Sequence, residues 1–214
     1  KLQVYFTLNF IVALMAWFIS WRALLFFSFY IFLIWFYSHK LKKIVFIGNL
    51  SAALLAVWPF FAILLYYYQP TSIEELERHK DHFAVIIAHA SFLFLLILIR
   101  ELIKDLENLK GDLANNYHTI PVFYGESWSK RISTVLTILT LVPVYILIDL
   151  YDVGYMDIYF YSSLIVLLFF LLLLWQSNNK PHYIRLHNIL KFLIVAGVFC
   201  VVLINPSVLW HGKN

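Results

Sequence analysis

Glu101, Asp105, Asn108 and Asp112 follow one another at spacings of four, three and four residues. On a helix of about 3.6 residues per turn, that pattern puts all four on one face. Carboxylates in such a row suit a hard divalent cation. Magnesium in particular uses one or two carboxylates and completes its shell with water and phosphate oxygens. Asp105 and Asp112 supply the charge, with Glu101 and Glu107 in reserve. Lys40, Lys42, Lys43, Lys104 and Arg100 are available to neutralise a diphosphate. The chemistry implied is activation of a phosphate-bearing lipid by a metal that stabilises the leaving group. On spacing alone a plainer reading stands level with it: a solvated face in which Arg100, Glu101, Lys104 and Asp105 neutralise one another. The residues that follow favour a site. Gly111, Asn115, Asn116, Thr119 and Pro121 are turn formers, so the helix should break there and the chain fold back over the acidic row.

The elements that must position this row are membrane helices. The 214 residues are 63% hydrophobic and only 13% charged, against about 45–50% and about 25% in soluble domains. Seven apolar stretches approach the ~20 residues a bilayer requires, at 3–20, 23–38, 45–68, 83–103, 132–150, 156–175 and 186–205. The brief link at Ser20 makes the first two an antiparallel hairpin. Pro59 and Pro143 should kink their spans. Trp17, Trp21, Trp35, Trp175 and Tyr66 to Tyr68 cluster at span ends, where aromatic rings anchor in the interface. Twelve of the sixteen Lys and Arg residues fall on one side of the membrane, and Arg22, Arg78, Lys80 and Lys213 on the other. That asymmetry makes the acidic row and the Lys40–Lys43 turn cytoplasmic, and places the loop with Glu74, Glu75, Glu77 and Asp81 outside. The net charge of +4 is scattered between spans, which excludes a nucleic-acid surface. Cys200 is a lone buried thiol. His89 and Asn9, inside spans, are expected to hydrogen-bond a neighbouring helix. No repeat or soluble domain appears, so residues 1–214 form a single transmembrane domain.

The stretch Arg100–Gly125 resembles the second aspartate motif of the UbiA-type intramembrane prenyltransferases, R-E-x-x-x-D-x-x-D-x-x-G-D-x-x-x-G-x-x-T-x-P with a closing glycine. Tyr37-Ser38, Leu41-Lys42-Lys43 and Gly48-Asn49 are similar to the family's Y-S-x-x-L-K-R…G-N turn. The resemblance implies an all-α integral membrane enzyme with a lateral opening to lipid. Its seven helices would match the third to ninth of a nine-helix bundle. It implies Mg2+-dependent transfer of a prenyl group from a prenyl diphosphate, through an allylic cation, to an aromatic quinone precursor or a glycerol-phosphate-type acceptor. Carried over, Asp105, Asn108 and Asp112 would be the catalytic metal-diphosphate ligands. Lys42, Lys43, Lys104 and Arg100 would contact the diphosphate, with Asn49 near the pocket. The membrane would be the bacterial inner membrane, with the site facing the cytoplasm.

Two departures qualify this. The family's middle aspartate is Asn108, which offers a carbonyl oxygen to a metal but no charge. The family's first motif, N-D-x-x-D-x-x-x-D, is absent from residues 1–214. The expectation is therefore an N-terminally incomplete domain, inactive by itself. A non-catalytic prenyl-lipid-binding relative and a seven-span receptor or transporter are the alternatives. Nearly charge-free span interiors argue against the last.

Overall fold

A computed structural model describes residues 2–67, 80–151 and 153–200, and contains no strand among them. Its helices are α1 (Leu2–Ile19), α2 (Trp21–His39), α3 (Ile47–Tyr67), α4 (Lys80–Ala114), α5 (Ile120–Tyr124), α6 (Glu126–Leu139), α7 (Leu141–Tyr145), α8 (Asp157–Gln176) and α9 (Lys180–Cys200). A 3-10 turn, Leu41–Lys43, precedes α3, and a wider π-type turn, Ile146–Leu150, extends α7. Among the described residues, five segments are long and apolar enough to cross a bilayer, and Gln3–Ile19 and Ile47–Ala62 are shorter apolar helices. The seven expected spans fall on these seven. The protein is an all-α integral membrane protein. Lys1, the loop residues Glu74, Glu75, Glu77 and Arg78, Tyr68, residues 201–205 of the seventh span, and Lys213 lie outside the described residues. So do the side chains of Tyr66, Tyr67, Lys80 and Asp81.

Helix α4 is the centre of the bundle. One side packs Leu93, Ile97 and Leu98 on Ala53 and Val57 of α3. The other side packs Phe92, Leu96, Ile99 and Ile103 against Phe160, Phe170 and Leu190 of α8 and α9. Beyond the buried Lys130, the buried face of α6 is small and polar, with Ser129, Ser133 and Thr137, which lets backbones approach closely as membrane helices do. At the edge, Ser20 alone links α1 to α2. Its extended backbone and its Oγ, which accepts from the Ala23 N–H, start the second helix. Trp17, Trp21, Trp35 and Trp175 are all exposed, as interfacial anchors must be.

The two prolines act through the carbonyls they leave free. Pro59 cannot donate to Leu55, and the Tyr30 hydroxyl of α2 fills that place at 3.0 Å. Pro143 has no N–H for Leu139. The span is interrupted one turn before it, at Thr140, between α6 and α7.

α4 ends at Ala114, among the turn formers of 111–121 as expected, while other expectations need correcting. Gly111 is exposed, and a helix interior tolerates one glycine for about 1 kcal/mol. The chain turns at Asn116, whose φ of 54° is left-handed. α6 and α9 start at Glu126 and Lys180, about six residues earlier than hydropathy suggested. Their polar first turns are helical but lie beyond the apolar windows. Asn9 bonds its own helix, through the Tyr5 carbonyl at 2.8 Å, because α1 lies at the exposed edge. His89 is buried among aromatic rings, with Phe60 and Phe160 about it, and its Nε2 has no hydrogen-bond partner among the described residues.

Candidate functional site

Three pieces of chain meet at the polar end of α4. The first is the turn Leu41–Lys43. Lys40 ends α2 by donating its N–H to the Phe36 carbonyl, and Ile44 closes the turn onto Leu41. Phe46, with φ of 63°, swings the chain into α3. Gly48 then lies against the turn's backbone. A Cβ there would sit 3.0 Å from the Lys42 carbonyl oxygen and 3.2 Å from that of Leu41. A side chain at 48 would push the lysine turn away. Asn49, the next residue, is buried and donates its Nδ2 to Asp105 Oδ2 at 2.7 Å.

The second piece is the acidic row. Glu101 is buried and takes one cation on each oxygen: Lys104 at 2.8 Å on Oε2, and Arg100 at 3.6 Å on Oε1. That much fits a self-neutralised face. Asp105 and Asp112 do not. Among the described residues neither carboxylate makes an ion pair; their partners are the Asn49 amide and the Thr119 hydroxyl, the latter 3.3 Å from Asp112. The loop after α4 therefore does fold back on the row. Lys42 and Lys104 lie within electrostatic reach of Asp112, and Tyr37 within that of Glu101, Lys104 and Asp105. Asn108 is half-buried on the same face, one turn from Asp112.

The third piece is the first half of α9. His187 Nδ1 lies 3.0 Å from Glu107 Oε2, and its Nε2 accepts from Arg100 Nε at 3.4 Å. Arg100 and Glu107, seven residues apart, share a face roughly a third of a turn from Asp105 and Asp112.

The structure thus brings Asn49, Asp105, Asp112, Lys42 and Lys104 together. It leaves Lys43 exposed on the rim and turns Arg100 toward α9. Sequence reasoning saw Thr119 only as a turn former and did not see His187 as a partner. The Asp112–Thr119 contact was readable from the loop's fold-back, whereas the α4–α9 contact had no local signal.

The donor set can be tested against magnesium. Asp105 and Asp112 are two turns apart, about 10 Å along the axis, too far for both to ligate one ion directly. No three His, Cys, Asp or Glu side chains converge among the described residues. The set therefore fits an ion held by a single carboxylate and completed by water and phosphate, which is magnesium's ordinary habit. It does not fit a caged ion.

Comparison with known proteins decides the lineage. The model of the UbiA prenyltransferase family matches residues 2–193. The chain belongs to the UbiA prenyltransferase family. That match contains both motifs, the Tyr37–Asn49 turn and the Arg100–Gly125 segment. The digeranylgeranylglyceryl phosphate synthase of Methanosphaera stadtmanae is 31% identical over 124 residues, 56% of this chain and 40% of that protein. The protein of the same name from Methanopyrus kandleri is 46% identical over 55 residues, 24% of this chain and 20% of its own. The one from Pyrococcus horikoshii is 28% identical over 151 residues, 70% and 50%. The UbiA chain thus spans half or less of the length of these relatives. No solved structure matches it.

Proposed function

We propose that the protein containing this UbiA chain transfers a prenyl group from a prenyl diphosphate to a glycerol-phosphate-type acceptor within the membrane. The observation that carries this is the pair Asp105 and Asp112. Two carboxylates share one helix face with no contacting cation among the described residues, across from the Lys42 turn. Uncompensated acidic groups beside mobile cations suit a magnesium-diphosphate complex, whose charges match both. The relatives' name, digeranylgeranylglyceryl phosphate synthase, favours the glycerol-phosphate acceptor over the aromatic one.

In this reading Asp105 and Asp112 would each hold a magnesium ion by one carboxylate, with Asn108 lending a neutral oxygen between them. Bound there, magnesium would offset charge developing on the leaving diphosphate. Asn49 fixes the Asp105 carboxylate and Thr119 that of Asp112, so neither must reorganise as charge develops. Lys42 and Lys104, with Lys43 at the rim, neutralise the diphosphate oxygens. The allylic carbon–oxygen bond breaks, the acceptor hydroxyl oxygen takes the carbon, and its proton is lost. Arg100 would join only by leaving His187. The relatives are archaeal, so the bacterial inner membrane named from the sequence has no support here. The reading is limited to a membrane with this site on its cytoplasmic side.

The test is prenyl transfer by the complete parent protein in membranes. EDTA is expected to abolish turnover and added Mg2+ to restore it. Turnover unaffected by the chelator would refute the reading.

Asn108 favours one second reading, a relative that binds prenyl diphosphate without turning it over, because a neutral ligand weakens metal affinity. Asn108→Asp is expected to tighten Mg2+ binding roughly three- to tenfold, following ligand charge, as measured by calorimetry with inorganic pyrophosphate present. Turnover appearing only in that variant would establish the second reading.

A further inference from the structure

We infer that His187 is a positioning residue that sets Lys104 beside the carboxylate row, acting through Arg100 and Glu101. The inference rests on the reading above, in which Lys104 meets the diphosphate.

A guanidinium has only donors. The His187 Nε2 that receives Arg100 Nε–H at 3.4 Å must therefore present a lone pair. The ring proton of a neutral imidazole then sits on Nδ1, which faces Glu107 Oε2 at 3.0 Å. One tautomer satisfies both contacts. The His187 and Glu107 side chains are only 14% and 19% exposed, so water does not readily substitute for either.

The chain of contacts continues. Arg100, held at Nε by His187, brings Nη1 to 3.6 Å from Glu101 Oε1. Glu101, buried, is left with Oε2 for Lys104 at 2.8 Å. Each link removes a rotamer choice from the next, and the last link is an ammonium group beside Asp105 and Asp112. His187 lies on α9, Glu107 and Arg100 on one face of α4, and Lys104 toward the other. The tie thus passes the position of α9 around α4 to the site. A second-layer hydrogen bond of this kind orients groups that meet ligand without touching it.

The experiment uses the complete parent protein in lipid nanodiscs, as the unaltered chain and as two variants. His187→Gln keeps one donor and one acceptor in place of the two ring nitrogens, and His187→Phe keeps the shape without either. Calorimetry with Mg2+ and inorganic pyrophosphate is expected to show His187→Phe binding about tenfold more weakly, with His187→Gln near the unaltered chain. Mass spectrometry of acylation by a small anhydride is expected to show Lys104 reacting several times faster in His187→Phe and not in His187→Gln. Equal Lys104 reactivity in all three proteins would overturn the inference, whatever the binding result. Absence of pyrophosphate binding in the unaltered chain would refute the proposed function, while Lys104 reactivity would still decide the role of His187.

Discussion

Asp112→Ala is expected to lower magnesium-dependent prenyl transfer by the complete parent protein about 10²- to 10³-fold, the usual effect of removing one preorganised electrostatic group from a charge-separating site. The change removes the carboxylate that Thr119 fixes at 3.3 Å and that Lys42 and Lys104 face. The loss should appear mainly in the pyrophosphate affinity and in kcat/KM, because without that charge neither magnesium nor the lysines are held in register. Stability should barely move. Asp112 is half-buried in the last turn of α4, beyond the apolar part of the helix, and among the described residues its side chain bonds only the Thr119 hydroxyl. A thermal unfolding scan alongside the assay separates the two effects. Turnover in Asp112→Ala equal to that of the unaltered protein would remove Asp112 from the site. Asp105 is the weaker choice for this test. Its loss also strands the buried Asn49 amide, so misfolding and lost chemistry would be confounded.

The same two aspartates show why part of the site was legible before any coordinates. Their spacing is a local property of a helix, and an apolar run plus turn formers placed that helix and its end. What the spacing could not decide was whether the row was neutralised by its own lysines. It is, at Glu101, and is not at Asp105 or Asp112. That distinction depends on Asn49, which reaches α4 only because Gly48 lets the lysine turn lie flat on α3. Glu107 points away from the row, as helical geometry alone requires, and pairs with His187. Its partner His187 is brought in by the packing of α9 on α4, which periodicity does not encode. At His89, Nε2 has no hydrogen-bond partner among the described residues, and at this level of the bundle Phe60 and Phe160 lie beside the ring. Hydropathy windows missed the starts of α6 and α9 because both begin in charged turns outside the bilayer's apolar depth.

Lys130 carries the largest expected effect on stability. In the sequence it is one more lysine on the cytoplasmic side, counted only for orientation. In the structure its side chain is 8% exposed and lies at the junction of α6, α8 and α9. Its Nζ donates to the Ser177 carbonyl at the end of α8, to Asn178 Oδ1 at 3.2 Å, and toward Glu126 Oε1 at 3.3 Å. The Tyr183 hydroxyl of α9 donates to the same Glu126 carboxylate and lies 3.1 Å from the Ser177 carbonyl oxygen, and the Tyr183 ring lies 5.8 Å below the ammonium. One cation thus ties the end of α8 to the starts of α6 and α9. Lys130→Met keeps the stem and removes the charge. It should destabilise the protein by about 1–3 kcal/mol, the loss of charge-assisted hydrogen bonds that leaves the Ser177 carbonyl and the Glu126 carboxylate to Tyr183 alone. Lys130→Arg should lose less, because its donors can still reach two of the three acceptors. Unfolding midpoints in detergent for the two variants measure this. Lys130→Met within about 0.5 kcal/mol of the unaltered chain, the range of an ordinary surface substitution, would mean that the junction holds without its cation.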